Sequence, residues 1–181
     1  PLGLLFGIVS ARKKGSALDY ALVIFTVLGV CVPVFIVAAL LQYAFAIKLG
    51  WFPVAQWNGF RYSILPVLTL SIGSVATRTR SMRTLMLEVI NEDYMKTAKA
   101  KGLSKFQIVW RHQIRNAVIP MIPSLGMEIV NLLMGSFVVE QIFVIPGLGA
   151  YFVNSIQNLD YTMTLGLTVF LAVFVVSANF I

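Results

Sequence analysis

Four apolar blocks decide what this chain can fold into. From Tyr20 to Ile47 only Gln42 is strongly polar, and Val118 to Val139 carries a single charge, Glu128. Met163 to Ile181 carries none, and Ser63 to Thr77 holds only apolar or small residues. A helix needs about 20 apolar residues to cross a bilayer, so three of the blocks qualify by length. The block from Ser63 stops short at Arg78 and Arg80, whose long side chains can snorkel to headgroups. With 59% hydrophobic residues, 12% charged residues and a mean hydropathy of +0.87, the chain is too apolar for a soluble domain of its size. The expected class is an all-α, multi-span integral membrane protein. Its spans are expected near 20–47, 63–82 and 118–140, with partial spans at 1–11 and 163–181. The chain reads as part of a longer one, because it lacks an initiating Met, Pro1 to Val9 resembles the tail of an earlier span, and Ile181 stops inside an apolar run.

The net charge of +7 raises the question of nucleic acid, and its distribution answers it. Assigning residues 12–19 and 78–117 to one side of the membrane puts 12 of the 14 Lys and Arg there, leaving only Lys48 and Arg61 opposite. That is the positive-inside bias, which places the basic side in the cytoplasm; no nucleic-acid partner is expected. Cys31 is alone inside a span, so no disulfide framework or thiolate cluster is available. His112 is the only His and no acids cluster around it in sequence, so no metal site is expected from this chain, and it reads as an interfacial or packing residue.

Local signals place the elements. In "ARKKGSALDY", Ser16 and Asp19 have the spacing of a capping box opening a helix. Pro33 should kink that helix; a kink can act as a hinge, although Pro is common in spans without one. "KLGWFPVAQWNGFRY" combines Trp51, Trp57 and Tyr62 with Gly and Pro breakers, as an outer loop with interfacial aromatics does. The cytoplasmic segment, about 88–117, is expected to hold a short helix of roughly two to three turns. Asn91 is its expected N-cap, with Glu92 and Asp93 at the positive end of the dipole and Glu92 paired with Lys96. Gly102 is the expected stop, and Ser104 with Gln107 forms a second capping box. The following helix carries an apolar stripe of Phe106, Val109, Trp110, Ile114 and Ala117, with Lys105, Arg111 and Arg115 turned to headgroups or solvent. Thr97, Ala98 and Ala100 give the short helix a small-residue surface, and Tyr94 and Met95 add contact area. Two readings stay open from these residues alone: a loop that merely folds, or a helix that docks on a partner.

From Tyr94 to Pro120, "YMKTAKAKGLSKFQIVWRHQIRNAVIP" resembles the membrane-spanning subunits of binding-protein-dependent ABC importers, in their dipeptide, oligopeptide and nickel branch. These carry a cytoplasmic E-A-A-x3-G loop. Lys96, Thr97 and Ala98 stand at the E-A-A positions and Gly102 at the Gly; the acid is absent and the Pro arrives late, at Pro120, both as in the peptide-permease variant of the loop. A second stretch, "GSFVVEQIFVIPGLGAYFVNSIQNLDY", resembles the outer-facing VVE..F..PGLG segment of the same branch. The form "IPGLG", with "RHQIRNA" and "KLGWFP" before it, is similar to the first of the two permeases in such systems.

The resemblance covers essentially the whole chain and implies the transmembrane domain of a type I-like importer. In that family the short cytoplasmic helix is a coupling helix, docked on a separate ATPase subunit. Tyr94, Lys96, Thr97, Ala98, Lys99, Ala100 and Gly102 would form its docking surface. The implied partners are a second homologous permease, two ATPase subunits, an extracellular binding protein and the lipid of the bacterial inner membrane. ATP and Mg would sit on the ATPase subunits. No G-x-x-x-x-G-K-[ST] occurs, so this chain has no phosphate loop of its own and is expected to be non-catalytic, with no cofactor.

Glu128 and Asn131 are the polar pair of the 118–140 span. Glu128 would either face a pore and meet a peptide's cationic group, or hydrogen-bond Asn131 or a partner subunit. Glu140, Pro146, Gly147 and Gly149 are expected at an outer gate or receptor contact, with Glu140 organising the turn. Nickel-chelate or other small-solute import is the alternative cargo. An ion-coupled secondary transporter is the alternative class, and the absence of a visible internal repeat argues against it.

Overall fold

The computed structural model describes residues 1–124, 128 and 137–179, and among them all regular structure is helical. Helices α1 (Leu2–Arg12), α2 (Ala17–Cys31), α3 (Val34–Leu41), α4 (Phe60–Asn91) and α5 (Asp93–Ala100) come first. A π-helical turn, Gln42–Lys48, continues α3. Then α6 (Lys105–Gln107), a π-helical stretch (Ile108–Ile114) and α7 (Arg115–Val118) form one continuous run. Later in the chain lie α8 (Phe137–Phe143), α9 (Leu148–Gln157) and α10 (Tyr161–Asn179).

The chain divides into two compact units. The first holds Pro1–Cys31 and Ile72–Ser124; the second holds Val32–Ser71 and the described residues from 128 onward. Both units take part of α4. Among the described residues α4 alone is long and apolar enough to cross a membrane, and the count rises to three if each of two broken helix pairs is one span. At about 1.5 Å per residue its 32 residues run roughly 48 Å, against a hydrocarbon core of about 30 Å. It therefore outruns the expected 63–82 span at both ends. No Gly or Pro interrupts the stretch from Ser74 to Asn91, so nothing stops the helix at 88, where a loop was expected to begin.

Pro33 does more than kink its helix. The chain leaves helical geometry there, with φ −57° and ψ 140°, and α3 starts afresh at Val34. Pro has no N–H to offer the preceding turn and pushes the residue before it out of the α region. The expected single span 20–47 is thus two helices.

In the first unit, α1 lies backbone-close against α4. A Cβ at Gly7 would fall 2.5 Å from the Met82 Cβ and 2.7 Å from the Thr79 carbonyl oxygen, so only Gly permits the approach. The spacing Gly3-x-x-x-Gly7 is the small-residue pattern that draws membrane helices together. Ala11, Met82, Met86, Ala117 and Met121 form the core below it. The second unit packs Ala38 and Ala46 against Leu65, Val139 and Phe143. Along α10, Leu165, Val169, Val173 and Val176 are all more than half exposed, an apolar face suited to lipid or to another subunit.

Candidate functional site

α5 sits in the first unit, one residue beyond the end of α4. Asn91 was expected to cap it, but α4 extends through Asn91, whose Nδ2 donates to the Leu87 carbonyl at 3.0 Å. A short amide at a helix end satisfies the carbonyl four residues back as readily as it caps a new helix. Glu92 takes the extended N-cap position instead, with no side-chain cap bond. The expected Glu92–Lys96 pair is replaced by Lys96 Nζ to Asp93 Oδ1 at 2.7 Å, an exposed contact that contributes little to stability. The end of α5 is as expected: Gly102 has φ +73°, in the left-handed region, and its N–H donates to the Lys99 carbonyl at 3.0 Å. The second capping box is complete, with Ser104 N–H on Gln107 Oε1 at 2.9 Å and Gln107 N–H on Ser104 Oγ at 3.3 Å.

The burial pattern of α5 sorts its residues. Met95 and Ala98 point inward and pack on Ile108, with Val89 and Leu103 at the edge. Ala98 is 4% exposed, which corrects its expected place: it supports the helix from beneath and presents nothing to a partner. At 100° per residue, the face opposite Met95 and Ala98 is Asp93, Lys96, Thr97 and Ala100, all exposed. Tyr94 and Lys99 lie on the two flanks. Tyr94 Oη accepts from Asn116 Nδ2 at 3.2 Å, which ties α5 to α7. Asp93 was not expected in this face, although the helical period alone assigns it there.

The π-helical stretch resets the next helix. Ile108, Val109, Gln113 and Ala117 are the buried positions, whereas Phe106 and Trp110, expected in the buried stripe, are 71% and 55% exposed. Trp110 lies inside the wider π-helical turn, where a 3.6-residue period no longer assigns the faces; Phe106 precedes it in α6. They meet each other, with centroids 6.0 Å apart.

One constellation had no sequence expectation at all. Asp19 is 2% exposed, and Arg83 grips it with Nε on Oδ1 at 2.8 Å and Nη2 on Oδ2 at 2.9 Å. The buried Ser10 hydroxyl also donates to Oδ1, and the Gly15 N–H donates to Oδ2 at 3.0 Å. Ser16 caps α2 as expected, accepting from the Asp19 N–H, but the Asp19 carboxylate reaches past the N-cap to Gly15 and Arg83. The Arg83 guanidinium holds this carboxyl well below the ordinary range, with Ser10 and Gly15 helping against the opposing effect of burial. Arg83 is held above its ordinary value by the same pair.

In the second unit, α8 and α9 meet at 89° around the turn at Pro146. The Glu140 carboxylate of α8 accepts the Ala150 N–H at 3.0 Å. It thus does for α9 what an N-cap side chain does, at the positive end of the helix dipole. A Cβ at Gly149 would fall 2.4 Å from the Phe137 ring and 2.8 Å from its Cα, so the turn closes only on Gly. An open cavity of about 290 Å³ adjoins Glu140, Pro146, Tyr151 and Asn154. Replacing Glu140 with Ala is expected to cost about 1 kcal/mol locally and to speed exchange of the Ala150 amide roughly fivefold, read by hydrogen–deuterium exchange. Unchanged exchange there would show that the carboxylate does not cap α9. Glu128 is half-buried, and Asn131 lies outside the described residues.

Residues 3–181 match the family described as "Binding-protein-dependent transport system inner membrane component". The chain belongs to this family. Among proteins similar to this chain is the dipeptide transport system permease protein of Bacillus subtilis, 44% identical over 99% of this chain and 58% of its own length. The oligopeptide transport system permease proteins of Haemophilus influenzae and Escherichia coli are 42% and 38% identical over 98% and 93% of this chain. The chain spans under three-fifths of each relative, at 58%, 59% and 56%.

Proposed function

We propose that this chain is part of the membrane subunit of an ATP-driven importer of di- or oligopeptides, with α5 as the helix that docks on a separate ATPase subunit. The observation that carries the reading is the outward face of α5. Asp93, Lys96, Thr97 and Ala100 are exposed on a short helix whose opposite face is locked into the first unit. The helix is held at both ends of its reach. α4 leads into it, and the Tyr94–Asn116 bond joins it to the run that leads out. A push on α5 is therefore delivered to packed helices, and helices with two arrangements convert such a push into alternating access. The names of the related permeases and the family's dependence on a binding protein support the same assignment.

In this reading the chain forms half of the pore beside a second homologous permease, in the bacterial cytoplasmic membrane. Two ATPase subunits carry ATP and Mg, and an extracellular binding protein delivers the peptide to the outer side. This chain itself makes and breaks no bond. Glu140, Pro146, Gly147 and Gly149 shape the outer turn where the binding protein or gate would meet it, and Glu128 is the candidate contact for a peptide's cationic group. The test is purification of the full-length protein with its copurifying subunits, followed by reconstitution with the binding protein. Vanadate-sensitive uptake of di- or oligopeptides, with an ATPase in the purified complex, is expected. Uptake driven by an ion gradient with no ATPase present would replace this reading with secondary transport, and selective uptake of a nickel chelate would replace its substrate.

A further inference from the structure

The first unit holds an open hollow of about 390 Å³ lined by the end of α1, the loop after it and the last turns of α4, and by α5, α6 and the π-helical stretch. Four cations line it: Arg12 from the last turn of α1, Lys14 from the loop after it, Lys99 from α5 and Lys105 from α6. No Asp or Glu lines it, and among the described residues none of these four cationic groups has an ion pair or hydrogen bond. Asn91 and Gln113 add amide groups to the same wall, Gln113 from a nearly buried position. Membrane topology explains cations in each loop, but it does not require that separate segments aim them at one hollow. Like charges brought together repel, and salt screens them only beyond about 8 Å. An anion with several acceptor oxygens would offset that repulsion and collect charge-assisted hydrogen bonds.

We propose that this hollow binds a phosphate-bearing anion, the headgroup of an anionic phospholipid of the cytoplasmic leaflet. Basic pockets on the cytoplasmic side of membrane helices take such headgroups. Phe106, next to Lys105 in sequence, and Trp110, one turn further on, stand exposed, and aromatic side chains of this kind settle at headgroup level. That favours lipid over free phosphate as the source. The lipid source rests on the membrane-permease reading; the anion chemistry does not. A bound headgroup would bridge Lys99 of α5 to Arg12 at the end of α1 and Lys14 of the loop after it, and so fix the position of α5 before any partner arrives.

The experiment uses the full-length protein with its copurifying subunits, in mixed micelles of phosphatidylglycerol and phosphatidylcholine. Retained lipid is read by native mass spectrometry, and thermal midpoints are compared in inorganic phosphate and in chloride at matched ionic strength. Phosphatidylglycerol is expected to be retained over phosphatidylcholine. The Lys99→Gln/Lys105→Gln pair should lower its retention about thirtyfold. The Lys101→Gln/Arg111→Gln pair removes as much charge outside the hollow and should change retention by less than about twofold. A phosphate-specific thermal shift with no lipid preference would keep the anion chemistry and overturn the lipid source. Equal losses from both pairs would reduce the effect to diffuse surface charge and overturn the site. So would protection of Lys99 and Lys105 from acylation that does not depend on the lipid and is lost when the copurifying subunits are stripped away, since the hollow would then be a protein contact. The transport reading is untouched by any of these results, and it fails separately if no ATPase copurifies.

Discussion

Trp in place of Thr97 or Ala100 is expected to cut ATP-driven peptide uptake by about thirtyfold while the protein still folds and inserts. Both positions lie on the exposed face of α5, away from Met95 and Ala98. A bulky side chain on an exposed helix surface usually changes stability by less than about 0.5 kcal/mol. At the centre of a docked interface the same ring holds the partner off, and central contacts of this kind carry 2 kcal/mol or more, roughly thirtyfold in affinity. The measurement is uptake in proteoliposomes beside the amount of ATPase that copurifies. Wild-type uptake by both variants would sink the docking role of this face. Ala98→Trp is not an equivalent experiment. That side chain would be forced between Met95 and Ile108, and overpacking costs about 1–3 kcal/mol in the protein itself.

Much of the site was legible in the sequence because its signals are local. The Gly102 stop, the Ser104–Gln107 box and the Glu140-to-Gly149 turn each depend on residues within ten positions of one another. The face of α5 was misread for a different reason. Small size marked Ala98 as a surface for close approach, but small residues serve equally under a helix, and only the position of Ile108 decides between them. The stripe after it held at Val109, Ile114 and Ala117 and missed at Phe106 and Trp110; at Trp110 a 3.6-residue period was assumed where the backbone winds more widely. The helix end after the 63–82 block was not legible, because Arg78 and Arg80 mark a membrane boundary by charge and say nothing of where α4 stops, at Asn91. The Asp19–Arg83 pair was invisible because its partners are 64 residues apart and meet only through the packing of α1, α2 and α4.

That pair carries the largest expected effect on stability. Arg83→Met is expected to destabilise the protein by about 2 kcal/mol, read by denaturant unfolding of the purified protein in detergent. Removing one partner of a fully buried ion pair costs about 3–5 kcal/mol, and the 26% exposure of the Arg83 side chain places this one below that range. Asp19→Asn should cost less, because the orphaned guanidinium can turn to water whereas an orphaned Asp19 cannot. Combined, the two substitutions should cost less than their sum, which is the signature of a direct contact. The pH dependence has a fixed sign. Because the folded Asp19 titrates below its unfolded value of 3.8, its stabilisation is complete above that value and is lost as pH falls through the folded one. In Arg83→Met the main cause of that depression is gone and burial remains, so Asp19 takes up a proton at higher pH and the variant sheds its unpaired charge. The gap between wild type and Arg83→Met should therefore be widest near neutral pH and should narrow as pH falls toward 4. A gap that stays constant over that interval, or that widens, would mean that the guanidinium acts through packing and not through its charge.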